Sequence, residues 1–264
     1  MRGVQRSLSP LVPVLLVFAA CAPHFPSTGA DVAVPASSAT LPFGPQASAS
    51  AAASAPPEPI PAPVAKQQPE AVHHDPAQVD PSLATERAPD VFRASFTTTR
   101  GTFVVEVHRD WAPNGADRFY NLVKLGFYDD TRFFRVIDGF MAQFGISGDP
   151  AITSRWRTAN IKDDPVKQSN LRGFVTYAQT SQPDSRSTQI FVNYKDNSRL
   201  DQSRFAPFGK VVEGMRVLDE LYAGYGEGRP QGKGPDQMRV EESGNAYLDD
   251  QFPKLDRVLV ARVL

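Results

Sequence analysis

The chain has 264 residues, with 28 Lys plus Arg against 29 Asp plus Glu, 24 prolines and a single cysteine. Near-zero net charge excludes a protein that binds nucleic acid chiefly by neutralising phosphates. One cysteine excludes an internal disulfide framework and any zinc site built from several thiolates. The length allows one domain with extensions, or two small domains.

Residues 1–21 read as an export signal. Arg2 and Arg6 precede an apolar run over 11–20, and Cys21 follows. Such a run spans only about 15 Å as a helix, half of a hydrocarbon core, which suits a signal peptide and not a transmembrane span. Its ending, Val17-Phe18-Ala19-Ala20-Cys21, resembles the lipobox of bacterial lipoproteins, with small residues before the only cysteine. The resemblance implies lipidation at Cys21 and anchorage at the bacterial cell envelope, facing the periplasm. Residues 22–90 follow as a linker. Ala, Pro and Ser make up more than half of it and most of the prolines lie here. Proline lacks a backbone donor and fixes φ, and small side chains bury too little to offset ordering entropy, so this segment is expected to be disordered and semi-extended. His73-His74 within it have no further ligand nearby and are read as solvated; no metal site is expected.

The composition changes near Pro89. Most phenylalanines fall between Phe92 and Phe252, so residues 91–264 are taken as the folded domain, long enough to bury about 70% of its extended surface. A strand is expected over 91–98, then a tight turn at Thr99-Arg100-Gly101. In the next strand Phe103, Val105 and Val107 alternate with Thr102, Glu106 and His108, the period of a half-buried strand. Pro113 opens a helix whose apolar positions are Ala116, Phe119, Tyr120 and Val123, closed by Gly126. Strands follow at 132–137, 140–144, 173–179, 189–193, 206–212 and 257–263, with a short helix over 214–222. The glycine-rich stretch 224–234 lacks the Lys-Ser/Thr ending of a phosphate loop and is read as the start of a long surface loop reaching about position 253. Asp163-Asp164 and Glu241-Glu242 read as solvated acids. Eight strands and two helices without a βαβ rhythm predict an antiparallel barrel or sandwich.

Chemistry concentrates in residues 133–143, Phe-Phe-Arg-Val-Ile-Asp-Gly-Phe-Met-Ala-Gln. A hairpin at Asp138-Gly139 would bring Arg135 near Phe140, Met141 and Gln143 on one face. From spacing alone the plainer reading keeps Phe140 and Met141 in the core and Arg135 as a surface charge. The run F-x-R-V-I-x-G-F-M-x-Q, however, closely resembles the central motif of the cyclophilins, a family of peptidyl-prolyl cis-trans isomerases. Gly173-Phe174-Val175-Thr176-Tyr177-Ala178-Gln179-Thr180 with Thr188-Gln189-Ile190-Phe191-Val192 resembles the strand pair lining that family's substrate groove. Asn197-Ser198-Arg199-Leu200-Asp201 and the run from Phe205 to Val212 resemble its pocket wall and next strand.

The resemblance covers about residues 92–264 and implies a mainly β fold, a closed eight-stranded antiparallel barrel capped by two α-helices. It also implies site roles. Arg135 matches the catalytic arginine, and Gln143 the glutamine that orients it. Phe140, Met141, Phe191 and Leu200 match the hydrophobic proline pocket, while Ala178, Gln179 and Gln189 match groove positions. The family's histidine at the far wall is replaced by Phe205 or Arg204, depending on the direction of counting; Phe205 is preferred because an aromatic keeps the wall apolar. Arg199 stands where many members carry a tryptophan associated with cyclosporin binding, Phe134 replaces a common histidine, and three extra residues precede Asp149. The implied activity is isomerisation of X-Pro bonds by a monomer without a cofactor, acting on proline-containing segments of unfolded or exported proteins. The alternative is a tethered module that grips such segments without turnover.

Overall fold

The computed structural model describes residues 79–264. The expected signal peptide, Cys21, His73-His74 and most of the linker lie outside the described residues. Eight strands run in chain order: β1 (Val91–Thr98), β2 (Gly101–His108), β3 (Arg135–Ile137), β4 (Met141–Phe144), β5 (Phe174–Tyr177), β6 (Ile190–Asn193), β7 (Pro207–Glu213) and β8 (Val258–Val263). They form one antiparallel sheet in the order β3-β4-β6-β5-β7-β2-β1-β8. The sheet curls until its two ends meet at the bridge between Arg132 and Arg257. On either side of that bridge the Phe133 amide donates to the Asp256 carbonyl and the Val258 amide to the Thr131 carbonyl. Residues 132–134, expected as the start of β3, form this closure instead.

The interior is filled by alternate strand residues: Phe96, Phe103, Val105, Val107, Val136, Ala142, Phe144, Val175, Ile190, Val192 and Phe208 are all buried in one core. Phe96 stacks on Phe103 at 5.0 Å between ring centres and meets Phe144 edge-on. The helix α1 (Pro113–Lys124) covers this core with Ala116, Phe119, Leu122 and Val123. Its first turn is capped from a distance, because the Asp164 carboxylate accepts from the Asn114 and Gly115 amides. Asp164 is itself buried and paired with buried Arg186, so the expectation of a solvated acid fails: the carboxylate is spent on a helix end and a guanidinium.

Three further α-helices are present among the described residues: α2 (Pro150–Trp156), α3 (Met215–Asp219) and α4 (Gln237–Gln251). Only α3 falls where a helix was expected. The stretch 224–253 is therefore not a long irregular loop. α4 is interrupted at Gly244, whose φ is 56° and where a Cβ would sit 2.1 Å from the Gly148 carbonyl oxygen. Glycine is required there by both handedness and space. Val240, Tyr247, Leu248 and Phe252 pack with Phe134 and Ile146 into a second, smaller core outside the barrel. The folded body also begins earlier than the composition change suggested. Val79 and Ala88 are buried in the main core, and the Trp156 indole donates to the Val79 carbonyl at 2.7 Å.

Candidate active site

The turn at Asp138-Gly139 sets β3 against β4 so that Arg135 faces Gln143 and Ile137 faces Met141. Across the next ladder Gln143 faces Phe191 and Met141 faces Asn193. Because strand side chains alternate, placing Val136, Ala142, Phe144, Ile190 and Val192 in the core turns Arg135, Met141, Gln143 and Phe191 to the other face. All four are nevertheless buried and lie outside the main core. They are covered by one another and by neighbouring loops.

Arg135 is the centre of this cluster, with 8% of its surface exposed. Its Nη1 donates to Gln143 Oε1 at 3.0 Å, and the Gln143 amide donates to Gln189 Oε1 at 2.9 Å. The Phe140 ring lies 5.9 Å from the guanidinium carbon. Phe191 meets Phe205 at 5.8 Å between ring centres, 70° apart. Leu200 is half-buried on the 3-10 turn Ser198–Ser203, and its carbonyl accepts from the Phe205 amide. The Ala178 amide donates to the Gln189 carbonyl at 2.9 Å, and the Gln179 side chain donates to the Ser203 carbonyl at 2.8 Å. Hydrogen bonds thus link Arg135, Gln143 and Gln189 to Ala178, and ring packing links Phe140 to Arg135 and Phe191 to Phe205. Phe205 is buried against Phe191, whereas Arg204 is exposed and donates to Asp163. Arg199 lies over the outer part of Phe140, 5.0 Å from its ring.

Phe140 and Phe205 are held from beneath by buried amides, of which Asn170 carried no sequence signal. Asn170 accepts from Thr176 and donates to Asp201 and to the Phe205 carbonyl. Asn197 donates to the Phe140 carbonyl at 2.9 Å and to Asn193 at 2.8 Å. Buried polar groups that are fully bonded fix one geometry, since each lost partner leaves a desolvated group. Phe140 and Phe205 are therefore placed by backbone as well as by their own packing.

A second partner of Arg135 comes from 92 residues downstream. Nε and Nη2 both donate to the Glu227 carboxylate, each at 2.6 Å. Beside the site, Gln189 also borders a small recess of about 20 Å³ lined by Phe127, Ile146, Trp156, Arg157 and Glu241. Burial pushes the Glu241 carboxyl above the usual range; a hydrogen bond from Gln237 and the charge of Arg157 pull it partly back.

Residues 93–242 match the family model described as cyclophilin type peptidyl-prolyl cis-trans isomerase/CLD. The chain belongs to the cyclophilin-type peptidyl-prolyl cis-trans isomerases. It is similar to a peptidyl-prolyl cis-trans isomerase of Acinetobacter baylyi, 38% identical over 129 residues, covering 47% of this chain and 68% of that protein. It is also similar to peptidyl-prolyl cis-trans isomerase B of Escherichia coli, 34% identical over 135 residues, 48% of this chain and 82% of that one. A crystal structure of a cyclophilin-type isomerase from Cryptosporidium parvum overlays with a TM-score of 0.50 at 19% identity, covering 66% of this chain and 98% of that chain; this likeness concerns the fold.

Two departures of this cyclophilin from the common motif belong together. Phe134, next to Arg135, points into the second core with Val240, Tyr247, Leu248 and Phe252. The segment lengthened before Asp149 carries Gly148, whose carbonyl accepts from the Asn245 amide at 3.0 Å. Both changes dock α4 beside the site. Sequence reasoning missed this because the buried positions of α4 include a glycine, while its exposed face carries Met238. The sequence hint for Glu227 was the glycine pattern around it.

Proposed function

We propose that this domain accelerates cis-trans exchange of X-Pro bonds by a hydrogen bond from Arg135 to the prolyl nitrogen. The peptide bond is held planar by resonance, with a barrier of about 18–20 kcal/mol, and uncatalysed X-Pro exchange takes tens to hundreds of seconds. At the twisted transition state the prolyl nitrogen becomes pyramidal and regains its lone pair. A guanidinium N–H aimed at that nitrogen binds it more strongly there than in the planar ground state, which is the differential binding that lowers a barrier. Phe140, Met141, Phe191, Leu200 and Phe205 would grip the ring and exclude water, while Ala178, Gln179 and Gln189 would hold the flanking backbone. No covalent intermediate and no cofactor enter this scheme.

One observation carries the reading. A buried arginine, bonded to Gln143 at 3.0 Å, lies beside Phe140 on a strand face turned away from the core. For the whole chain we propose export, attachment through a lipid on Cys21, and action as a monomer on unfolded or newly exported proteins. The support is the basic and apolar start, the single cysteine after Ala19-Ala20, and the long Ala/Pro/Ser segment that would hold a domain off a membrane.

The test is exchange NMR on a short Ala-Pro peptide with the full chain and its Arg135→Ala variant. Turnover is expected to fall by about 10²–10³-fold in the variant, with the fold retained by circular dichroism. Equal rates in a folded variant would overturn the role of Arg135, and peptide binding without acceleration by the unaltered chain would leave only the binding module.

A further inference from the structure

Glu227 grips Arg135 with two short hydrogen bonds, and nothing in the arginine motif calls for it. Its two oxygens take Nε and Nη2, each at 2.6 Å, while Gln143 takes Nη1. These three bonds fix the plane of the guanidinium, because a bidentate carboxylate leaves an arginine fork no freedom to rotate. The Gln143 amide then donates to Gln189, so one line of hydrogen bonds runs from Glu227 through Arg135 and Gln143 to the groove.

The loop around Glu227 is built to hold that carboxylate still. The Gly228 amide donates to Glu227 Oε1 at 2.9 Å. The chain then folds back on itself, with a parallel bridge between Gly228 and Gly234 and the Gly234 amide donating to the Glu227 carbonyl at 2.8 Å. A Cβ on Gly232 would lie 2.2 Å from that carbonyl oxygen. The glycine spacing of 228, 232 and 234 is thus the packing requirement of a backbone wrapped around one glutamate. Tyr225, just before it, packs edge-on to Phe252 at 5.0 Å, which ties the loop to the second core.

We propose that Glu227 is a positioning residue for the isomerase reaction, holding the Arg135 guanidinium in the orientation from which it serves the prolyl nitrogen. The inference rests on the assignment of Arg135 made above. With the carboxylate in place the pair is close to neutral, so the site acts through directed N–H groups already oriented before substrate arrives and not through a net positive field. A buried guanidinium without this partner would turn toward other acceptors or water. Glu227 makes the second core part of the catalytic apparatus.

The test uses the full chain with a short Ala-Pro peptide in exchange NMR, comparing Glu227→Gln, Arg135→Ala and the double variant. In Glu227→Gln, kcat is expected to fall roughly tenfold to a hundredfold with KM within about twofold, since misplacing a reacting group by about an ångström costs on that order. The double variant is expected to match Arg135→Ala alone, because both changes remove one unit. A slowly exchanging Arg135 Nε–H correlation should be present in the parent chain and lost in Glu227→Gln. If Glu227→Gln does not fold, Gly232→Ala displaces the same glutamate and should give the same loss of kcat. Unchanged or faster turnover in folded Glu227→Gln, with Arg135→Ala inactive, would overturn the proposal and leave the arginine assignment standing. Full activity in Arg135→Ala would overturn both.

Discussion

The two faces of the β3-β4-β6 corner are made by the same residues taken alternately, yet they do different work. Val136, Ala142, Phe144, Ile190 and Val192 join the main core, whereas Arg135, Met141, Gln143 and Phe191 are buried without joining it. The inner face is hydrocarbon packed on hydrocarbon. The outer face sets a guanidinium and two amides among aromatic rings, with each polar group drawn into a bond. Packing the inner face fixes the strand register, and the register fixes what the outer face presents. The chemistry therefore inherits its precision from a core it does not touch.

Substitutions on the two faces should separate cleanly. Phe144→Ala, inside, removes a ring packed against Phe96, Tyr128 and Phe133. It should cost about 3–5 kcal/mol in denaturant unfolding and lower activity only through loss of folded protein. Phe191→Ala, outside, should raise the KM for an Ala-Pro peptide roughly ten- to hundredfold in protein that remains folded. If the two variants gave the same signature, stability loss with unchanged KM, the division between the faces would be broken.

The second core offers a finer comparison. Phe252 packs edge-on to Tyr225 and Tyr247 and belongs to the second core, not to that of the barrel. Phe252→Ala should cost about 2 kcal/mol, less than Phe144→Ala, and still depress kcat because it loosens the loop that presents Glu227. An unfolding curve shifted as far as that of Phe144→Ala would mean that the second core is not a satellite.

The smallest effect is expected at Glu241, beside the recess. Its carboxyl is raised by burial, so the folded state favours the protonated form. The contribution is present below the ordinary glutamate value of 4.5 and is lost as pH rises through the raised value. Glu241→Gln should then be slightly more stable than the parent at pH 7, with the difference vanishing below about pH 4. Thermal melts across pH 4–8 would show it, and a constant difference would rule this cause out.

These contrasts also mark what could be read in advance. The strands of the barrel were legible because alternation of Phe103, Val105 and Val107 with polar residues survives in the fold as an inner and an outer face. Arg135 and Gln143 were legible through the resemblance of residues 133–143 to the cyclophilin motif, since spacing alone left Arg135 a surface charge. Glu227 was not, since its partner lies 92 residues away and no local period links them. α4 hid for a physical reason: its contact with Gly148 needs a glycine at 244, which erases the apolar period that marks a helix. Asn170 gave no signal because its partners Thr176, Asp201 and Phe205 are scattered along the chain, although burial makes it, with Asn193 and Asn197, part of the frame beneath Phe140 and Phe205.

The most direct test of the central claim is a crystal structure of the full chain with a short Ala-Pro peptide. The account predicts the proline ring against Phe191 and Phe205 on the outer face, with an Arg135 N–H within about 3 Å of the prolyl nitrogen. A proline seated in the recess beside Glu241, or an Arg135 turned away from the peptide, would contradict it.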